Sequence, residues 1–307
     1  MTNSGFASLV RRELPLFAVS ISVLSWGAGP LIIRGISAST PTITITRLAL
    51  SIPIMSAIAW RTGGRLNWSL LRATALPGIF FFSSMALSFE SLRQTSIANQ
   101  TLIGALSPAL ILLLAPKFLN ETVKKSQVVL AVVGLGGISL VVLGASNGGG
   151  ASLYGDLLAL CAMAMWSTYI VITKLRRNAG VNSWAYLAGN FTWSVVYCIP
   201  WAFVVGFELG DFDRNDWVLM CIMVIAQGIT AHGLHAWSLK HIDATFASLM
   251  TLGCPVISAT GAYLIYHEQL STMQIIGGAV VLGALAGVSV LATNSQKLKR
   301  ELAEVII

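Results

Sequence analysis

Apolar runs of a length that only a lipid bilayer accommodates recur from Leu14 to Thr293. A helix needs roughly 20 predominantly apolar residues to cross the hydrocarbon core, because each residue advances it by only about 1.5 Å. Ten such runs can be placed, at 14–35, 43–60, 73–92, 96–116, 126–145, 153–174, 185–207, 217–238, 243–266 and 271–293. The segments between them are too short to fold as separate domains. Charge agrees with this. Only 10% of the 307 residues are charged and 55% are hydrophobic, where soluble domains carry roughly a quarter charged residues. The expected class is an all-α polytopic membrane protein with ten transmembrane helices.

Basic residues in short loops set the orientation of such a chain. With the N-terminus in the cytoplasm, all of the 19 lysines and arginines except Arg34, Arg47, Arg93 and Arg214 fall on the cytoplasmic side. Both termini are therefore expected inside. The net charge of +7 follows from topology and does not point to nucleic acid. Arg11-Arg12 ahead of an apolar run looks like the start of a signal peptide. That run is longer than an h-region and no A-x-A-like site follows, so a retained first helix is expected. Cys161, Cys198, Cys221 and Cys254 lie inside the spans with no CxxC spacing and read as small apolar packing residues.

The chain repeats itself. A shift of 147 residues lays "SPALILLLAPKFLNETVKKSQVVLAVVGLGG" over "CPVISATGAYLIYHEQLSTMQIIGGAVVLGA", matching Pro108 with Pro255, Glu121 with Glu268, Gln127 with Gln274 and Gly136 with Gly283. A shift of 140 pairs Trp26 with Trp166 and Arg34 with Lys174. Two repeats, 1–147 and 148–307, each hold five spans. An odd number turns the second repeat upside down relative to the first. Inverted repeats around a central cavity are the build of alternating-access transporters, although a channel or an enzyme can also be assembled from repeats.

A substrate path should place polar and aromatic residues at membrane depth, where they are costly against lipid. The candidates are Ser83 in the third span, Asn99 and Gln100 in the fourth, Trp166 and Tyr169 in the sixth, and Asn190 in the seventh. Gln227, His232 and His235 in the eighth form the densest polar group. Any one of these alone reads as an interhelical hydrogen bond; the set reads as the wall of a water-filled cavity. His232 and His235 share a helix face and could relay a proton, contact a carboxylate or serve structure alone; no neighbouring Cys or acid completes a metal shell, so no metal is expected. Pro108 and Pro255 each remove a backbone donor near the middle of a span, and matched positions mark them as candidate hinges. Glycines at four-residue spacing in the fifth and tenth spans, Gly283 and Gly287 among them, allow close helix approach. Ser271 to Gln274 has the form of a capping box. The first and sixth spans carry no acid at mid-depth, which removes the shared carboxylate expected of a proton-coupled exporter of lipophilic cations. Arg34 and Lys174 are expected to snorkel. No nucleophile motif or phosphate loop appears, so neither an enzyme nor a cofactor is expected.

With Trp26-Gly27 in the first span and the paired "SP…E…Q…G" and "CP…E…Q…GG" runs, the whole chain resembles the EamA-type members of the drug/metabolite transporter superfamily. Within it the chain looks most like the inner-membrane exporters of aromatic and other neutral amino acids. The resemblance implies a ten-helix basket in a bacterial inner membrane, exporting amino acids by alternating access. Trp166 and Tyr169 would wall in the substrate side chain, while Asn99, Gln227 and the histidines meet its amino and carboxylate groups. A broad exporter of drugs or metabolites is the alternative within the same fold, and a passive pore the alternative outside it. Expected partners are a small-molecule substrate and the lipid bilayer; monomer and homodimer are both open.

Overall fold

A computed structural model describes residues 3–118, 125–145, 152–177, 181–205, 212–231, 234, 238 and 250–306. Among them there are helices and short turns, and no strand. The helices are α1 (Asn3–Gly35), α2 (Thr40–Arg61), α3 (Trp68–Gln94), α4 (Ile97–Gly104), α5 (Ser107–Phe118) and α6 (Lys125–Ala145). They continue with α7 (Leu153–Arg177), α8 (Ser183–Val205), α9 (Arg214–Ile222), a π-helical segment (Met223–Ala231), α10 (Gly253–Tyr266) and α11 (Thr272–Ile306). Six stretches are long and apolar enough to cross a membrane: Leu14–Gly35, Thr40–Arg61, Trp68–Gln94, Lys125–Gly144, Leu153–Thr173 and Ser183–Val205. Ile97–Ile111 and Thr272–Val288 are shorter apolar helices. Large apolar side chains such as Phe203, Val204 and Leu264 stand exposed on the outside of the bundle, where lipid and not water solvates them. The chain is a multi-pass membrane protein.

Helices that are apolar on every face take their ends from caps and not from periodicity. Side-chain oxygens of Ser39, Asn67, Ser96 and Asp213 each accept the amide of the residue three positions on, starting α2, α3, α4 and α9. Ser271 and Gln274 exchange reciprocal bonds of 2.8 and 3.2 Å ahead of α11, the capping box expected there. Among the described residues three expected spans are not continuous α-helix. The fourth is interrupted at Ala105 and Leu106. Pro108 has no N–H for the carbonyl of Gly104, and Ala109 donates to Leu106 instead of Ala105. In the ninth, a turn at Leu252 precedes α10, three residues before Pro255. The eighth opens from α9 into the π-helical segment.

The bundle is held by α3 against α7 and α8, α2 against α8, α1 against α10 and the π segment, and α4 and α5 against α7. The most extensive contact is α6 against α11. It is made backbone to backbone: a Cβ on Gly277 would stand 2.6 Å from the Gly137 carbonyl oxygen, and one on Gly137 3.0 Å from that of Gly277. The glycine stripe read from the sequence thus serves α6–α11 packing, through Gly137, Gly277 and Gly287, whose added Cβ would stand 2.9 Å from Leu130 Cδ1 of α6. Gly283 has nothing within 4 Å of an added Cβ. Hydrogen bonds define two ends of the bundle. At one, α3 ends at Thr95 beside the start of α7 and the α10–α11 turn; at the other, Asn182 donates to Thr62 at 3.2 Å.

Candidate functional site

In the bundle interior, α3, α7 and α8 bring four aromatic rings together. The Phe81 ring stacks on Phe191 at 5.2 Å, meets Tyr169 edge-on at 5.0 Å and tilts toward Trp166 at 6.0 Å. Trp166 and Tyr169 are 5.3 Å apart. Two of the sequence candidates are therefore neighbours, joined by Phe81 and Phe191, which the sequence did not single out. Trp166 is half-buried and Tyr169 buried. Next to Trp166 in the same turn of α7, Ser167 meets Ser107 at 2.9 Å, tying α7 to the start of α5.

Further along the same face of α3 lie Met85 and Phe89, and against them rests Arg47 of α2. Its Nη1 is 3.6 Å from the Met85 sulfur, and its guanidinium carbon lies 5.7 Å over the Phe89 ring. Arg47, counted with the outer side, is the eighth residue of α2, about 10 Å along the helix from Thr40. Its charged head is half-buried against α3.

The remaining candidates lie elsewhere. Gln100 donates to Ser88 at 2.7 Å, between α4 and α3. Ser83 is half-buried two residues beyond Phe81, which puts it on the other side of α3. Asn190 is fully buried between α8 and α3; its amide nitrogen bonds the Tyr186 carbonyl at 2.9 Å, and its side-chain oxygen has no partner. Gln227, in the π segment, donates to the Ser25 carbonyl at 3.3 Å and occupies the space left by Gly29. It ties α1 to the π segment and is not brought to the aromatic rings. His232, His235 and Glu121 lie outside the described residues. Pro108 is exposed and Pro255 buried.

The Thr95 end is closed by a polar network that crosses between the first five spans and the last five. Asp156, buried in the first turn of α7, accepts from Thr95 at 2.7 Å and from the Asn99 amide at 3.1 Å to each oxygen. Asn99 in turn accepts from Gln274 of α11 at 2.8 Å. Every polar atom of the Asn99 side chain is thus engaged inside the protein. Beside it, Arg34 pairs with Glu268 at 3.1 Å, and Glu268 accepts the Ile97 amide at 2.9 Å, at the N-terminus of α4. Arg34 also bonds the Leu92 and Thr95 carbonyls, so it is fixed within the bundle end where snorkelling was expected. Burial pushes the Glu268 carboxyl above its ordinary value, against the opposing pull of Arg34 and the amides of Ile97 and Ala98. Nearby, Asp216 accepts from Ser37 through both oxygens, at 3.0 and 2.6 Å, and Thr40 donates to Glu90 at 2.8 Å.

Known proteins share this build. An uncharacterized transporter of Archaeoglobus fulgidus is 19% identical over 268 residues, covering 87% of this chain and 93% of its own. Uncharacterized transporter YetK of Bacillus subtilis is 23% identical, covering 70% and 66%. A WAT1-related protein of Arabidopsis thaliana is 28% identical, covering 68% of this chain and 56% of its own length. A solved crystal structure 20% identical in sequence superposes with a TM-score of 0.62, over 92% of this chain and 99% of that one, and so shares its fold. The profile of the EamA-like transporter family matches residues 14–143 and again 153–290. The chain, an all-helical multi-pass membrane protein matched twice over by that profile, belongs to the EamA-like transporter family.

Proposed function

We propose that this transporter exports neutral and aromatic amino acids from the bacterial cytoplasm across the inner membrane by alternating access, with both termini cytoplasmic. The observation that carries the reading is the group of Phe81, Trp166, Tyr169 and Phe191, an aromatic cluster packed at the junction of α3, α7 and α8. Aromatic rings offer large apolar contact at little entropic cost, which suits a substrate with a flat or branched apolar side chain.

The packing supports an inverted repeat. Exchanging α1 with α7, α2 with α8, α3 with α9 and its π segment, α4–α5 with α10, and α6 with α11 carries the larger contacts onto one another. The α1–α10 contact becomes α7 with α4 and α5, α3–α8 becomes the π segment with α2, and α6–α11 and α2–α8 are unchanged. In the orientation set by the basic loops, the Thr95 end faces outward. The network of Asp156, Asn99, Gln274, Arg34 and Glu268 then seals the outer face, and export requires it to open. Pro108 and Pro255, each just after an interruption, are the hinges on which the halves move.

The test is uptake of labelled amino acids into liposomes holding the purified protein, with unlabelled competitors. Saturable, competable uptake that falls in Trp166→Ala and Tyr169→Ala, with normal folding, supports the reading. Unchanged kinetics in both variants refutes the site. A competitor ranking led by non-amino-acid compounds replaces the substrate class with drugs or other metabolites.

A further inference from the structure

Among the described residues the guanidinium of Arg47 has no counter-charge. Among the described residues the ion pair is Arg34–Glu268, and Glu90, the acid on the neighbouring stretch of α3, is held by Thr40 at 2.8 Å and Gln94 at 3.0 Å. The polar neighbours of Arg47 on its own helix face are hydroxyls committed to α2 carbonyls: Thr44 to Thr40 and Ser51 to Arg47 itself. What the guanidinium touches is a thioether and the face of an aromatic ring. Neither neutralises it. A cation at membrane depth is expensive unless it pairs or marks a ligand path, and a guanidinium presents a planar fork that fits a carboxylate through two bonds.

The position of that charge relative to the aromatic rings is fixed by α3. Phe81, Met85 and Phe89 follow one another at four-residue intervals on one face, each about 6 Å from the last. The rings of Trp166 and Tyr169 gather at Phe81, and the guanidinium lies at Met85 and Phe89. A compact ligand between them meets a cation at one end and an apolar aromatic wall at the other, roughly 6–12 Å apart along the helix.

We propose that Arg47 is the anion anchor of the transport site, binding the carboxylate of a substrate whose apolar body lies against Phe81, Trp166 and Tyr169. The proposal rests on the reading that this interior is the transport site, and it goes further in assigning the carboxylate to Arg47, where the amides and histidines of the sequence reading were expected to serve. The chemistry required of the ligand is a carboxylate joined by a short linker to an apolar group, with or without an amine.

The experiment compares three probes that share one ring: L-phenylalanine, 3-phenylpropionate and phenethylamine. Binding is followed by thermal stabilisation of the purified protein and by equilibrium binding, for the wild type, R47Q and R47K. The expected result is stabilisation of the wild type by carboxylate-bearing probes and not by phenethylamine. Carboxylate affinity should fall about ten- to hundredfold in R47Q, with partial recovery in R47K, where charge returns without the fork. Should R47Q fail to fold, the three-probe comparison on the wild type decides alone. Phenethylamine stabilising the wild type as well as the carboxylates do, no carboxylate binding at all, or R47Q binding carboxylates unchanged would each overturn the proposal. Binding of 3-phenylpropionate through Arg47 without L-phenylalanine would keep the anchor and discard amino acids as substrates.

Discussion

Gly277→Ala is a test of how the two most closely packed helices are held. The added Cβ would stand 2.6 Å from the Gly137 carbonyl oxygen and 2.9 Å from both the amide nitrogen and Cγ2 of Val141. Carbon and oxygen rest at about 3.3 Å or more, so α6 and α11 must part by roughly 0.7 Å. The opposing atoms are mainly helix backbone, and no rotamer change moves them. A gap of 0.5–1 Å forfeits about a quarter to a half of each contact's attraction, and overpacked cores lose about 1–3 kcal/mol. Replacing glycine by alanine within a helix returns up to about 1 kcal/mol. The net expectation is a loss of about 1–2 kcal/mol. Gly283→Ala, six residues on in α11, is the internal control: with nothing within 4 Å of its Cβ, only the helix-propensity gain applies. Thermal unfolding of both variants in the same detergent micelle measures the difference. Equal midpoints, or a higher midpoint for Gly277→Ala, would show that the backbone contact does not bear on stability.

Three other outcomes follow from the bundle's polar contacts. Asp156→Asn leaves Thr95 and the Asn99 amide competing for one carbonyl oxygen where two carboxylate oxygens stood, and should destabilise the Thr95 end by about 1–3 kcal/mol; a thermal midpoint equal to wild type would contradict this. Because burial raises the Glu268 carboxyl in the packed state, that state holds its proton more tightly than an opened, solvated one. Its contribution is then fully present below the ordinary carboxylate range and declines as pH rises through the raised range. The midpoint of wild type should fall relative to Glu268→Gln over that window, and a pH-independent difference would refute the linkage. Gly29→Ala places a Cβ on the Gln227 amide, displacing it from the Ser25 carbonyl. It should lower stability in the wild-type background and not in Gln227→Ala, whereas an equal cost in both would show that the clash lies elsewhere.

The membrane class was legible because runs of apolar residues have no other stable fate, and the interruption of the fourth span because Pro108 cannot donate to Gly104. Trp166 and Tyr169, three residues apart on one helix, were also legible as a pair. The network at the Thr95 end was not. Its bonded partners stand 57 to 234 positions apart, and a serine, asparagine or glutamine in an apolar helix looks the same whether it faces a ligand or a partner helix. For that reason the partners of Asn99, Asp156 and Gln274, are not visible in its sequence context. Arg47 was obscured for the opposite reason: counting loop charges treats an arginine one or two turns inside a helix as if it lay in the loop. The π-helical segment carries no signal in the apolar pattern, since a widened turn needs no residue that an ordinary helix lacks.

The glycine contact between α6 and α11 has a mechanical meaning for the two profile-matched halves that it joins. Residues 14–143 and 153–290 touch there at Gly137 and Gly277 through peptide planes, flanked by the short, stiff side chains of Val141, Val280 and Val281. Such a joint can turn but cannot part or slide without losing the contact outright. Under the proposed alternating access such a joint would serve as a fulcrum, with the relative travel of the halves smallest at Gly137 and Gly277 and growing with distance from them.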